Sequence, residues 1–260
     1  MLVIEELYHT YVSTDSEQTL PALANINLTV ADGEFLCLIG PSGSGKSTLL
    51  NIMAGFITPT QGTIKLDNRR VNQPSPERGV VFQDHNLFPW LTVLENVAFG
   101  LHCQGVPRQR AYRIAQEMLT LVDLADYSFF HPHQLSGGMK QRVALARVLV
   151  LDPLVLLMDE PFNAVDPQTR RKLQDQLLTL WKQHRKTIIF VTHNVDEAIY
   201  LADRVAIFGA QPGHIKTEMQ ITLPRPRQST TASFQRLKTY LLQLMEQNIP
   251  PDLPNLTSHH

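Results

Sequence analysis

An apolar run, Phe35-Leu36-Cys37-Leu38-Ile39, leads directly into a loop of glycine, proline and serine, Gly40-Pro41-Ser42-Gly43-Ser44-Gly45, and that loop ends on Lys46-Ser47-Thr48. This order constrains the chain more than any other feature, because it fits a strand, a loop and a helix at one edge of a sheet. A continuous apolar pentapeptide suits a strand covered on both faces, so Cys37 is expected to be buried. Glycines let successive backbone N–H groups turn toward one point, making an anion nest at a helix N-terminus. The pattern is that of a phosphate-binding loop. Lys46 is then placed to reach the β- and γ-phosphates of a nucleotide, and the Ser47 hydroxyl to ligate Mg²⁺. Thr48 joins the phosphate-facing set. The helix is expected over Ser47 to Ala54, with Gly55 as its stop. The bland alternative, a Gly/Ser turn with an exposed lysine, leaves the strand–loop–helix order without a reason.

The remaining chain supplies a sheet for that loop. Leu28-Thr29-Val30 leads through the turn Ala31-Asp32-Gly33-Glu34 into the buried run, and Gly62 to Leu66 and Gly79 to Phe82 read as further strands. Leu154 to Met158 and Thr187 to Val191 are apolar runs of the kind found in doubly covered parallel strands. Between them, Pro167 to His184 reads as a helix with one Leu-rich side. From about Leu91 to Val150 the pattern is helical, and Arg110 to Leu119 spaces its apolar residues by three and four. Strand and helix in alternation imply a doubly wound α/β core. Past Pro224 a short helix is expected near Phe234 to Gln247, and the last dozen residues, with Pro250, Pro251 and Pro254, read as extended or frayed.

A net charge of -1 gives no electrostatic footprint for nucleic acid. Cys37 and Cys103 are too few for a disulfide framework. Met1 to Glu6 lacks the start of a signal peptide, and no apolar stretch has the length needed to cross a bilayer. A cytosolic chain that meets a membrane through a partner is expected.

A phosphate loop needs a carboxylate at a neighbouring strand end to hold the metal, and Asp159 closes the run Leu154 to Met158. Glu160 adds a second carboxylate, placed to polarise the attacking water as general base. The alternative is a solvated strand end. His193, just past Thr187 to Val191, falls on the same edge, within reach of the γ-phosphate and the water. A lone histidine is more often structural.

Leu135-Ser136-Gly137-Gly138-Met139-Lys140-Gln141-Arg142 resembles the signature of the ABC ATPase family, with Met139 where glutamine is commonest. The other landmarks follow in order. Tyr11 resembles the aromatic that stacks on adenine, Gln83 the Q-loop glutamine that reaches the metal, Asn163-Ala164-Val165-Asp166 the D-loop, and His193 the switch histidine. The resemblance implies an α/β P-loop fold (residues 1–225) with a parallel-sheet core, an N-terminal antiparallel β-subdomain and an inserted helical subdomain near residues 88–152. Residues 226–260 then form a short helical tail. It also implies an ATPase using ATP and Mg²⁺, catalysed through Lys46, Glu160 and His193. Ser136, Gly137 and Gly138 precede a helix expected to begin near Met139. In the family, that start faces the γ-phosphate held by another subunit, so two chains sandwich two ATP molecules with Asp166 at the seam. Met139 is a departure, but backbone donors and Ser136 carry the contact.

The implied partners are a second ATPase subunit, identical or different, integral membrane permease subunits and, through them, an external substrate-binding protein, with no nucleic acid. The implied place is the cytoplasmic face of the bacterial inner membrane. Glu77 to Gln83, Leu87-Phe88-Pro89-Trp90, Glu95 to Leu101, Gln211 to Ile215 and Leu223 to Arg227 resemble the nitrate/sulfonate/taurine importer branch. The tail after Leu223 is too short for the regulatory β-domain of sugar-importer ATPases. A non-transport ABC ATPase acting on ribosomes or DNA is the rival, but such proteins usually carry two units or a coiled-coil insertion. The loop Asp84 to Trp90 is expected to line the groove for a permease helix; alternatively Phe88 and Trp90 cap the helical subdomain. His131 and His133 read as a structural loop rather than a metal site, and Arg225 and Arg227 as surface or interface charges. His259-His260 is either native or a tag remnant.

Overall fold

The structure, a computed structural model, describes residues 1–12, 19–163 and 165–246. The final residues expected to be extended, His259 and His260 among them, and Ala164 of the D-loop lie outside the described residues.

β1 (Leu2–Val12) and β2 (Thr19–Val30) pair antiparallel, and β1 also pairs antiparallel with β4 (Gln61–Leu66). With β5 (Arg69–Arg70) they form a four-stranded sheet in the order β2-β1-β4-β5. Its inner residues Leu2, Ile4, Leu7, Ile26 and Ile64 are buried against α1 (Lys46–Ala54) and one face of the main sheet. The main sheet has six strands in the order β10-β9-β3-β8-β7-β6. These are β3 (Phe35–Ile39), β6 (Arg78–Val81), β7 (Val155–Asp159), β8 (Thr187–Val191), β9 (Arg204–Gly209) and β10 (His214–Gln220), all parallel to their neighbours except β10. β3 and β8 are buried along their whole length, as strands covered on both faces must be.

α2 (Val93–Cys103), α3 (Arg108–Leu121) and α4 (Gly137–Leu149) surround their own core, which includes Val97, Leu101, Ala111, Leu119 and Val143. This is the expected helical insertion. α2 starts in a capping box: Thr92 Oγ1 accepts from Glu95 N–H while the Glu95 carboxylate accepts from Thr92 N–H. α5 (Pro167–His184), α6 (Val195–Leu201) and α7 (Ala232–Glu246) cover the other sheet face. Phe234, Leu237, Leu241 and Leu244 of α7 are buried in that core, so the C-terminal helix is part of the packed structure.

Arg225 and Arg227 are not surface charges. Arg227 is 4% exposed and donates to the carbonyls of Leu223, Ile199, Ala202 and Ile221. Arg225 pairs with Asp203 and lies over the Trp181 ring. A guanidinium fits this role because its planar fork can serve several carbonyls at the C-terminal end of α6, where the helix dipole favours a cation.

Candidate functional site

Parallel register brings the C-terminal ends of β3, β7 and β8 level: Leu38 aligns with Val191, and Val191 with Asp159. The phosphate loop, the Asp159-Glu160 pair and His193 therefore share one sheet edge. A cleft of about 330 Å³ opens there, lined by Tyr11, Ser42, Gly43, Ser44, Gly45, Lys46, Ser47, Thr48 and Glu160. Gly45 caps α1 at φ 83°, and a Cβ on it would lie 2.6 Å from Leu23 Cδ2 and 2.8 Å from Ala22 O. Only glycine fits both the left-handed backbone and the approach of β2.

Lys46 is 5% exposed, and its ammonium donates to Gly40 O (2.9 Å), Pro41 O (2.8 Å) and Ser44 Oγ (3.0 Å). Burial lowers its pKa, opposed by the charges of Glu160 and Asp159. Ser47 Oγ donates to Asp159 Oδ1 at 3.1 Å. Burial raises the Asp159 carboxyl; the Ser47 bond opposes this and the Glu160 charge adds to it. Tyr11 stands at the cleft wall with its hydroxyl 3.2 Å from Thr48 Oγ1.

Glu160 adopts φ 44°, uncommon for a residue with a Cβ, and its N–H donates to Val191 O at 3.0 Å. Its carboxylate accepts from Asn163 Nδ2 and lies 3.3 Å from His193 Nδ1. Asn163 was assigned only to the D-loop from sequence; the structure makes it a direct partner of Glu160. Gln83 is exposed two residues beyond β6 and does not line the cleft.

The signature segment occupies a different part of the surface, and none of residues 136–139 lines the cleft. α4 begins at Gly137, two residues before the expected start, because Ser136 caps it: Ser136 Oγ accepts from Met139 N–H at 3.3 Å. Gly138 packs so tightly on α5 that a Cβ would lie 2.5 Å from Thr169 Cγ2. Asp166 caps α5 with bonds from Gln168 and Thr169 N–H, and bonding by Thr169 holds its carboxyl below the usual range.

Residues to which the motifs gave no individual role complete the picture. Pro21, Ala22 and Gly213 form a cleft wall, joined by Gly213 N–H donating to Ala22 O at 2.9 Å. Arg147 of α4 donates to Asn86 O (2.6 Å) and His85 O (3.0 Å), fixing the Asp84 to Trp90 loop to the signature helix. Asn96 holds the same loop by accepting from Phe88 N–H and donating to Phe88 O, Leu91 O and Thr92 O. The loop divides its tasks: Leu87 packs on the helical core, while Phe88 lines an open depression of about 550 Å³ with Phe56, Phe82 and Phe99. Trp90 is 70% exposed and contacts Phe88 at 5.6 Å between ring centroids. His131 and His133 stack on each other, and among the described residues no cluster of His, Cys, Asp and Glu is arranged to hold a metal.

A phosphate loop after β3, carboxylates at the end of β7 and a second capped helix start define a P-loop nucleoside triphosphatase with an inserted helical layer. Residues 23–163 match the ABC transporter family, and the chain belongs to it. It is 47% identical over 223 residues to the nitrate import ATP-binding protein NrtD of Synechocystis, covering 86% of this chain and 83% of that one. It is 46% identical over 228 residues to the aliphatic sulfonates import ATP-binding protein SsuB of Bacillus anthracis, covering 88% and 90%. A dimeric ATP-binding cassette solved in a post-hydrolysis state with ADP and Pi superposes with a TM-score of 0.75 at 33% identity, covering 86% of this chain and 100% of that one. The chain is thus an ATP-binding ATPase subunit of the ABC type, and the importer resemblance read from its motifs agrees with these relatives. Among the described residues no helix is long and apolar enough to cross a membrane.

Proposed function

We propose that this chain is the motor subunit of an importer. With a second ATPase subunit, identical or different, it closes around two ATP molecules. Their hydrolysis drives uptake of a small anion or organic sulfonate through integral membrane permease subunits, supplied by an external substrate-binding protein. The work is done peripherally at the cytoplasmic face of the bacterial inner membrane. One observation carries the shared-site part of the reading: of the helix starts at α1 and α4, both suited to an anion, only the first lines the cleft.

In this reading Gly40 to Thr48 cradle the phosphates, Tyr11 stacks on adenine and Lys46 exchanges loop carbonyls for phosphate oxygens. Glu160 takes a proton from the attacking water, and His193 holds the γ-phosphate and that water. Ser136 to Met139 and Asp166 complete the site of the other subunit. Ser47 Oγ and the Asp159 carboxylate, raised in pKa by burial and secondarily by Glu160, form a hard-oxygen set that fits Mg²⁺, with Gln83 assigned to it when nucleotide is bound. Mg²⁺ there supplies charge neutralisation on the phosphates. The depression beside Phe88 receives a helix of the permease, as its exposed aromatics favour.

Mixing two defective chains tests the shared site. Lys46→Ala and Ser136→Arg each disable both sites of their own homodimer. A mixed dimer keeps one site with two intact halves, so hydrolysis returns on mixing. A mixture as inactive as its components overturns the shared-site reading.

A further inference from the structure

Glu197 lies in the first turn of α6 and is 6% exposed, a carboxylate withdrawn from water with no role in the cleft. Such a group is costly unless its oxygens are satisfied, and buried charges add little net stability. Its partners come from two directions. Thr192 Oγ1 donates to Oε2 at 2.6 Å, while Gln174 Nε2 donates to Oε1 at 3.2 Å and Arg170 Nε lies 3.8 Å from Oε1.

Each direction leads to a segment of the site. Thr192 immediately precedes His193; its N–H donates to Leu38 O (3.1 Å) and its hydroxyl accepts from Asn194 N–H (3.0 Å). The backbone on both sides of His193 therefore depends on that hydroxyl. Arg170 donates through Nη2 to Val165 O at 3.0 Å, and its own N–H donates to Asp166 O at 2.8 Å. His193 in turn lies against Glu160, and Glu160 against Asn163. The contacts run from Glu160 through His193, Thr192, Glu197 and Arg170 to the segment that carries Asp166. Burial raises the Glu197 carboxyl, and the contacts with Thr192, Arg170 and Gln174 oppose the rise.

We propose that Glu197 is a positioning residue for hydrolysis, holding the His193 segment and the Val165–Asp166 segment in one register. A movement of Asp166 against the second subunit is then transmitted to His193 through Arg170, Glu197 and Thr192. The inference rests on the reading of Glu160 and His193 as the hydrolytic centre and of Asp166 as a seam residue.

The test is Glu197→Gln in the full chain. The amide keeps the volume but offers one acceptor where the carboxylate has two. Its NH2 must face either Arg170 and the Gln174 amide nitrogen that now donates there, or the Thr192 hydroxyl that now donates to the carboxylate, so at least one present bond is lost or reversed. With the register loosened, kcat is expected to fall about tenfold to a hundredfold, as small misplacements of reacting groups do. The KM for ATP stays within about twofold and the Hill coefficient for ATP falls toward one. The melting temperature is expected to change little, the removed buried charge offsetting the poorly paired amide. Arg170→Met approaches the bridge from its other end and serves also if Glu197→Gln does not fold. Where both fold, the double variant is expected to lose no more rate than the worse single one.

Glu160→Gln is measured alongside. If Glu160→Gln is inactive while Glu197→Gln or Arg170→Met turns over normally, the bridge is overturned and the hydrolytic reading stands. A rate loss matched by lower stability and weaker ATP binding, or additive losses in the double variant, also overturns it. If Glu160→Gln itself turns over normally, the hydrolytic centre is misassigned and the inference fails with it.

Discussion

Replacing Glu160 by glutamine separates the chemistry of the site from its architecture. The N–H that holds residue 160 to Val191 O is backbone and survives the change, and an amide oxygen can still accept from Asn163. Two things are lost: a base 3.3 Å from His193 Nδ1, and one negative charge facing Lys46 and Asp159. A positioned general base contributes about 10²- to 10⁴-fold, which corresponds to roughly 3–5 kcal/mol of barrier. Removing the charge lessens repulsion toward an incoming triphosphate, so ATP binds at least as well as before. The assay is single-turnover phosphate release, with light scattering after size exclusion in ATP. The expected result is near-zero turnover and a dimer that persists with ATP. Turnover within about threefold of the unaltered chain would refute the base assignment, since that is well under 1 kcal/mol.

Other perturbations test neighbouring parts of the argument. Burial raises the Asp159 carboxyl, so its contribution to stability is present below its unfolded pKa and lost as pH rises through the folded one. Asp159→Asn, which still accepts from Ser47, is expected to raise the nucleotide-free melting temperature at neutral pH while abolishing hydrolysis, with the difference closing in acid; calorimetry across pH checks it. Burial and the neighbouring Arg225 push Arg227 down to about 10, still charged at neutral pH, so Arg227→Ala strips a charged donor from the carbonyls of Leu223, Ile199, Tyr200, Ala202 and Ile221. It is expected to cost about 3–5 kcal/mol in urea denaturation, and a loss below about 1 kcal/mol means the carbonyls find other donors. Phe88→Ala with Trp90→Ala is expected to leave the chain's own ATPase near normal and to uncouple uptake from hydrolysis in the assembled transporter. An unchanged ratio of ATP used to substrate moved removes the groove from the proposal.

The parts of the fold legible in the sequence were those fixed by local chemistry. β8 and α5 fall where expected, Thr187–Val191 and Pro167–His184, because a β-branched apolar run and an Asp-Pro start are strong short-range signals. α4 begins earlier than expected because the Ser136 cap and the close contact with Thr169 override the poor helix preference of Gly137 and Gly138. Arg225 and Arg227 follow prolines in a polar stretch and read as exposed, since the carbonyls that bury Arg227 come from α6 and the strand end before it. Glu197 has the same history. An acid in the first turn of a helix is ordinary by its dipole, and only the arrival of Thr192 and Arg170 turns it into a bridge. Motifs identify groups that act through their own chemistry, whereas groups that act through partners distant in sequence become visible only in the packed chain.

The charge balance of the cleft gives a physical reason for the proposed division of the site between chains. Lys46 faces both Asp159 and Glu160, and its three N–H donors are all engaged by the loop. A triphosphate brings further negative charge to this edge, where two carboxylates already stand. In the proposed dimer, donors from a second chain add to those of the loop, Lys46 and His193. The N-terminal end of α4 is such a set, fixed by Ser136 and backed by α5, yet it does not line the cleft of its own chain. The γ-phosphate then joins the two chains, so closure is strong with ATP and weak once that phosphate is cleaved. Asp166 and Arg170 lie at the start of the same α5 that backs the α4 end. In the proposed dimer, a subunit pressing there would act on the segment that Glu197 ties to His193.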